Sequence, residues 1–211
     1  MPASPARNMV LSVTDPDIGF PEANPDEREL LLAWLGYLRG AVLRKAGGIS
    51  EDQADWTPDG RLISIKGVLN HLTRVEWRWI DGGMFGEELP REEAEFRPGP
   101  ELSIEAALTA YRKRGEATDA AVRAMSLTEP CRGWGGQGKD LRWVLLHLFN
   151  ETARHAGHAE GDARAARRHH GGVTFWAARS TRRPVDSWSW WFCASRCSGR
   201  HSALARERKP S

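Results

Sequence analysis

The chain has few cysteines and no long apolar run, and both absences narrow the kinds of protein it could be. Cys131, Cys193 and Cys197 are the three cysteines among 211 residues. Three cysteines form no disulfide framework, so we expect a protein of the reducing cytoplasm. The N-terminus has no apolar core of the kind found in secretory signals, and no segment approaches the ~20 apolar residues of a membrane span.

The net charge of +2 conceals an uneven distribution. Residues 161–211 hold ten Arg and one Lys against three acidic residues, so they carry +8 and the rest of the chain carries −6. A basic, Trp-containing tail could bind nucleic acid through phosphate contacts and base stacking. It has no sustained apolar period, however, and we predict a disordered tail over residues 163–211. Residues 1–24, rich in Pro, Ser, Asn and Asp, are predicted to form a flexible arm.

Residues 25–162 carry four segments with helical periodicity, of which the first two lie close together. The first begins at Pro25-Asp26 and ends at Gly47-Gly48, with a stripe formed by Leu30, Trp34, Leu38 and Val42. A capping-box pattern over residues 50–53 predicts a short helical turn after it. The second helix is predicted from Ser64 to Asp81, where two glycines follow.

The other two helices follow a long connection. Residues 84–102 contain three prolines and several acids, which indicates a crossover loop. The third helix begins at Ser103 and has apolar or small residues at alternating steps of four and three, the pattern of a bundle seam. The fourth begins at Asp140 and runs to about Asp162. The sequence therefore predicts an all-α, up-down-down-up four-helix bundle with its long connection between helices 2 and 3.

Histidine and glutamate occur at positions that suggest a metal site. Glu151 and His155 are four residues apart, which on a helix places both side chains on one face. His71 lies on the second helix, beside an apolar stripe. Two imidazoles and a carboxylate from facing helices would form a three-ligand site for a divalent metal. Such a site leaves a coordination position for water or substrate, as catalytic sites do.

These residues resemble the DinB superfamily of metalloenzymes, which includes thiol-dependent S-transferases and the mycothiol-dependent maleylpyruvate isomerase. The resemblance covers roughly residues 26–162 and is most specific from Leu141 to Ala159, LRWVLLHLFNETARHAGHA. Relatives take one ligand from the second helix and two from the last, as His-x-x-x-His or Glu-x-x-x-His. The variant with Glu is similar to the mycothiol-linked actinobacterial branch.

The resemblance implies a ligand set and a cosubstrate. The implied metal ligands are His71, Glu151 and His155; zinc is the first choice of metal, with nickel or manganese as alternatives. A low-molecular-weight thiol would be the cosubstrate, and an electrophile its partner in conjugation, isomerisation or dehalogenation. Arg78, Arg154 and His158 are candidates for binding that thiol. The sequence identifies no general base, so the catalytic residues are unknown.

The resemblance ends after Ala159. Relatives continue with a leucine-rich stretch and an Asp-Gly-Ile/Ala-Thr-Gly ending, whereas this chain reads RAARRHHG from Arg164 to Gly171. One back-translation of that segment, CGAGCGGCTCGACGGCATCACGGG, encodes Glu-Arg-Leu-Asp-Gly-Ile-Thr-Gly when it is read one nucleotide later with one further G. We therefore hypothesise that residues from about 160 onward come from a shifted reading frame.

Several alternatives remain open from the sequence alone. The protein could be a metal-binding stress or accessory protein without turnover, or it could bind nucleic acid through its tail, which we regard as the less favoured reading. We expect no membrane partner, and a homodimer is possible. We interpret His147 as a packed or edge histidine and Cys131 as an ordinary loop cysteine. Cys193, Cys197 and His201 have a zinc-like spacing but lack a fourth ligand.

Overall fold

The computed structural model describes residues 19–58, 60, 62–90, 93–133 and 135–170. Within these ranges the protein has five α-helices and no β-strand. The helices are α1 (Glu27–Ala46), α2 (Glu51–Asp55), α3 (Ile65–Trp77), α4 (Ile104–Arg123) and α5 (Leu141–His170). A π-helical turn over Arg78–Met84 continues α3, and a 3₁₀ turn over Glu93–Glu95 lies in the connection to α4. None of the helices described is long and apolar enough to cross a membrane.

The helices begin at the polar residues that the sequence indicates. The carboxylate of Asp26 accepts from the backbone amides at the start of α1, and the hydroxyls of Ser64 and Ser103 do the same for α3 and α4. Ser50 and Gln53 form the expected capping box at α2. Oδ1 of Asp140 accepts from the amide of Trp143 at 2.9 Å at the start of α5. Each cap satisfies amides that have no partner within the helix.

The four long helices form the predicted bundle, with α1 beside α4 and α5 and α3 beside the same two helices. One apolar cluster joins the end of α1 to the beginnings of α3 and α4. A second cluster joins the beginnings of α1 and α5 to the end of α4 and the π-helical turn. Thus α1 and α5 run one way and α3 and α4 the other, which confirms the up-down-down-up arrangement.

Polar residues separate the two apolar clusters. Arg39 of α1 is buried and donates from Nε and Nη2 to both carboxylate oxygens of Glu76 at 2.8 Å. Its Nη1 donates to Asp119 of α4 at 2.7 Å. Both acids are as deeply buried as the arginine. Because isolated buried charges are very unfavourable, this three-residue network ties α1, α3 and α4 to one register.

The stripe predicted for α1 is offset from its buried face. Leu30, Trp34 and Leu38 are only partly buried, although Val42 lies in the core. The helix instead buries the residues Leu32, Leu35, Gly36, Arg39, Gly40, Val42, Leu43 and Ala46. The first turns of α1 carry leucines on every side, so helical period alone does not identify the buried face. The centre of that buried face is occupied by a charged residue, Arg39. Trp34 packs edge-on against Phe20, with ring centroids 4.7 Å apart.

The second predicted helix does not stop before its two glycines. It leaves α-helical geometry after Trp77 and passes through Gly82 and Gly83 as a π-helical turn. The loop before α5 packs directly against this turn. A Cβ on Gly133 would lie 1.8 Å from the carbonyl oxygen of Gly82, and the amide of Gly133 donates to the carbonyl of Gly83. The absence of a side chain at Gly133 therefore permits this close backbone approach.

Helix α5 ends at His170 rather than near Asp162. The added segment is rich in Ala and Arg, which are good helix formers, so the helix can continue past the point where the resemblance stops. Ala166 is buried, and the ring of His169 lies 5.4 Å from that of Trp56. The remainder of the predicted tail, 171–211, and residues 1–18 of the predicted arm lie outside the described residues.

Candidate metal centre

Three potential ligands converge between α3 and α5. The ligand atoms of His71, Glu151 and His155 all lie within 4.8 Å of one another. Oε2 of Glu151 is 3.6 Å from Nε2 of His71 and 3.8 Å from Nε2 of His155. The two imidazole centroids are 4.8 Å apart. The one-turn spacing on α5 and the inward face of α3 therefore bring together the three residues that the sequence singles out.

Burial and neighbouring charges shift the pKa values of these three groups in different directions. Burial, followed by the charge of His71, lowers the pKa of His155 to about 3, so its imidazole is neutral near pH 7. Burial also opposes protonation of His71, but the neighbouring carboxylates of Glu151 and Glu95 outweigh it and raise the pKa of His71. Burial raises the pKa of Glu151, yet His71 and the other nearby histidines lower it overall. A carboxylate and two imidazoles suit a divalent cation of borderline softness, such as zinc.

Glu95 is a member of this site that the sequence does not reveal. It comes from the 3₁₀ turn in the long connection, where it is buried. Its Oε1 lies 2.6 Å from Nδ1 of His71. Acidic residues are frequent in that connection, so no spacing distinguishes this one. Glu95 and His71 are 24 positions apart in the sequence, so no local pattern predicts their contact.

The connection is fixed against α3 by close packing. The side-chain amide of Asn70 donates to the carbonyl of Glu95 at 2.9 Å. Phe96 stacks on the ring of His71, with centroids 4.7 Å apart. Gly67 makes the approach possible, because a Cβ there would lie 2.4 Å from the carbonyl oxygen of Phe96. The long connection thus covers the outer side of His71.

Arg78, predicted as a thiol-binding residue, is held by Glu95. Both its terminal nitrogens donate to that carboxylate, one of them from Nη2 to Oε1 at 2.7 Å. Arg78 also lines a cavity of about 500 Å³, together with Trp79, residues 86–89 and the loop at Arg132. Arg78 therefore both pairs with the carboxylate that contacts His71 and lines a space large enough for part of a small molecule.

The other two predicted thiol-binding residues are exposed on α5. The ring of His158 lies 5.6 Å from that of His155, at the edge of the metal-ligand group. Arg154 is exposed one residue before His155. His147, one turn before Glu151, is partly buried, and its ring stacks on Trp143 and contacts Trp79. That packing agrees with its interpretation as an edge histidine.

Cys131, the cysteine among the described residues, is not one of the side chains that converge at this site. Cys131 lies in the loop before α5 with its Sγ 3.5 Å from the sulfur of Met84. Burial raises the pKa of its thiol, which opposes the thiolate form that a nucleophile needs. Cys193, Cys197 and His201 lie outside the described residues.

The fold and the three converging side chains define a helical bundle with a candidate metal centre in its interior. The chain matches the family model for mycothiol S-transferase over residues 30–161, which is more than half of its length. It belongs to that family, within the DinB-like superfamily. No curated protein gives a significant match.

Proposed function

We propose that the protein is a divalent-metal-dependent enzyme that joins a low-molecular-weight thiol of the mycothiol type to an electrophile, or uses it in isomerisation. The observation that carries this proposal is the convergence of His71, Glu151 and His155 within 4.8 Å in a chain of the mycothiol S-transferase family. Three protein ligands are the number typical of catalytic rather than structural zinc sites. Zinc is proposed as the metal, with nickel and manganese as alternatives.

The donor set fits such an ion. His155 is neutral, as a metal ligand must be, and the lowered pKa of Glu151 keeps a negative charge beside it. When bound, the metal would supply positive charge that favours the thiolate form of the cosubstrate near pH 7. The protein's own contribution is to hold the three donors, exclude water with its apolar clusters and orient the thiol.

The cavity beside Arg78 is the proposed place for the body of the thiol. The Trp79 ring offers a flat apolar wall, and Arg78 and Arg132 offer hydrogen-bond donors. Arg154 and His158 would contact the thiol from the exposed side of α5. In the transfer step the sulfur forms a bond to the electrophilic carbon, and the leaving group departs with its electron pair. The thiol proton passes to solvent, since no general base is assigned.

Metal analysis and a conjugation assay together test the proposal. Purified full-length protein is loaded with zinc, nickel or manganese, and product is measured with mycothiol and a chromogenic aryl halide. His155→Ala should lose both metal and conjugation. His169→Ala, a histidine of the same helix outside the site, is the matched control and should retain both. Tight metal binding without conjugation of the aryl halide would favour the non-catalytic accessory role instead.

A further inference from the structure

The carboxylate of Glu95 is placed to control which nitrogen of His71 carries the proton. It is only 2% exposed, and Arg78 approaches both of its oxygens. Because the guanidinium of Arg78 donates to both oxygens, the group is a carboxylate paired with a cation rather than a neutral acid. An ionised carboxylate can only accept hydrogen bonds. The atom facing it at 2.6 Å, Nδ1 of His71, must therefore be the donor.

A proton on Nδ1 leaves Nε2 of the neutral ring with its lone pair. That atom faces the carboxylate of Glu151 at 3.6 Å, on the side where His155 also lies. The ring is held on its face by Phe96, so rotation that would exchange the two nitrogens is opposed by packing as well as by hydrogen bonding. The contact of Nδ1 with Glu95 at 2.6 Å is a hydrogen bond, whereas Nε2 is 3.6 Å from Glu151, so the geometry favours the tautomer with its proton on Nδ1.

We propose that Glu95 and Arg78 are positioning residues: Glu95 fixes the proton of His71 on Nδ1 and aims Nε2 at the metal position, and Arg78 holds Glu95 in place. Partners of this kind raise the basicity of a ligating imidazole and limit its motion, and their loss typically lowers metal affinity by about 10–100-fold. The inference rests on the proposed role of His71 as a metal ligand. It gives Arg78 a role beyond contact with the thiol.

A first test reads the tautomer without any metal. Ring-nitrogen NMR of ¹⁵N-histidine-labelled, metal-free protein is recorded at a pH where His71 is neutral, with the signals assigned through a His71→Gln variant. The wild type should show a protonated Nδ1 and an unprotonated Nε2. Glu95→Leu should show a mixture of the two tautomers. A wild-type ring protonated on Nε2, or an unchanged tautomer in Glu95→Leu, would overturn the proposal whether or not the protein binds metal.

A second test measures zinc affinity by competition with a chelator. Affinity should fall about 10–100-fold in Glu95→Leu, less in Glu95→Gln, whose amide oxygen can still accept from Nδ1, and also in Arg78→Met. Asp119→Asn is the matched control, because it too removes a buried carboxylate paired with an arginine. It should reduce stability and leave the zinc Kd unchanged.

The two tests together separate the possible failures. If Glu95→Leu does not fold, Glu95→Gln and Arg78→Met still report on the proposal. Equal zinc affinity in these two variants and the wild type would show that the Glu95–Arg78 pair is merely structural. Failure of the wild type itself to bind zinc, nickel or manganese would refute the metal site. The NMR result would nevertheless stand as a statement about His71.

Discussion

His71 and His155 face each other across the α3–α5 contact with ring centroids 4.8 Å apart, yet their surroundings push their protonation in opposite directions. Two carboxylates contact or approach His71 and raise its pKa, whereas burial and the neighbouring imidazole lower that of His155. When the two imidazoles together carry one extra proton, that proton resides on His71. Binding of a divalent metal by both rings should therefore release a proton from His71, and metal affinity should weaken as pH falls.

Removal of His155 should abolish tight metal binding and leave the fold helical. The residue is fully buried, and its loss takes one of three donors from the group. Loss of a residue that only supports a metal ligand lowers affinity by up to about 100-fold. We expect metal affinity to fall further than this in His155→Ala, because a ligand itself is removed. Metal content by mass spectrometry and far-UV circular dichroism measure the two effects. Wild-type stoichiometry in the purified variant would contradict the assignment, and a partial loss would indicate that His158 substitutes.

The metal-free protein should lose stability as pH falls from about 6.5 toward 3. His155 titrates near 6.5 when unfolded and at about 3 when folded. In that window the unfolded chain binds the extra proton, so the free energy of unfolding falls by up to about 1.4 kcal/mol per pH unit. The raised pKa of His71 acts the other way: its contribution is present below 6.5 and is lost as pH rises through the folded value.

Urea denaturation at a series of pH values measures this dependence. His155→Phe, which keeps a buried ring but cannot titrate, should flatten the slope between pH 6.5 and 4.5. Below that range the lowered pKa of Glu95 adds a second loss of stability on acidification. The assignment fails if the wild type and His155→Phe have the same slope.

Truncation of Arg39 should be strongly destabilising. Arg39→Met leaves the buried carboxylates of Glu76 and Asp119 without their cation, a change that typically costs about 3–5 kcal/mol. Arg123→Met breaks an exposed pair with Glu29 and serves as the control, for which we expect a much smaller effect. Denaturant midpoints compare the two variants. Equal losses would mean that the buried network does little to stabilise the bundle.

Substitution of Gly67 should disturb the metal centre from a distance. An alanine Cβ there would lie 2.4 Å from the carbonyl oxygen of Phe96, so the connection that carries Glu95 must move. We expect Gly67→Ala to lower both stability and zinc affinity. Gly157→Ala is the control: nothing lies within 4 Å of a Cβ at that helical position, and the variant should gain about 0.5–1 kcal/mol. Zinc titrations and thermal melts distinguish the outcomes.

The sequence predicts the bundle from local pattern, whereas the full ligand set of His71, Glu151 and His155 is what the family resemblance implies. Helical period, polar caps and a four-residue spacing are properties of neighbouring residues, and they place Glu151 and His155 on one face. The buried face of α1 is less accessible to such reasoning, because Arg39 enters the core only with partners from two other helices. In the π-helical turn, the carbonyl of Gly83 likewise accepts from the amide of Gly133 in a distant loop, a contact that local pattern does not predict.

Glu95 illustrates the same limit within the site. Its role follows from tertiary packing of a connection that has little regular structure, and nothing in the order of residues separates it from neighbouring acids. The C-terminal end of α5 departs from the predicted one for another reason. The resemblance stops after Ala159, but Ala and Arg prolong a helix whatever their origin, so the continuation to His170 does not decide between reading frames.

The placement of Glu95 makes the long connection a poor site for insertion, deletion or grafting. Surface loops ordinarily tolerate such changes, and a segment without extended secondary structure would be an obvious choice for attaching a tag or shortening the protein. Here a change of one residue before Glu95 would redirect the carboxylate that faces His71, while the helices themselves could remain intact. An engineer should therefore treat this connection as part of the candidate metal centre and look elsewhere for permissive positions.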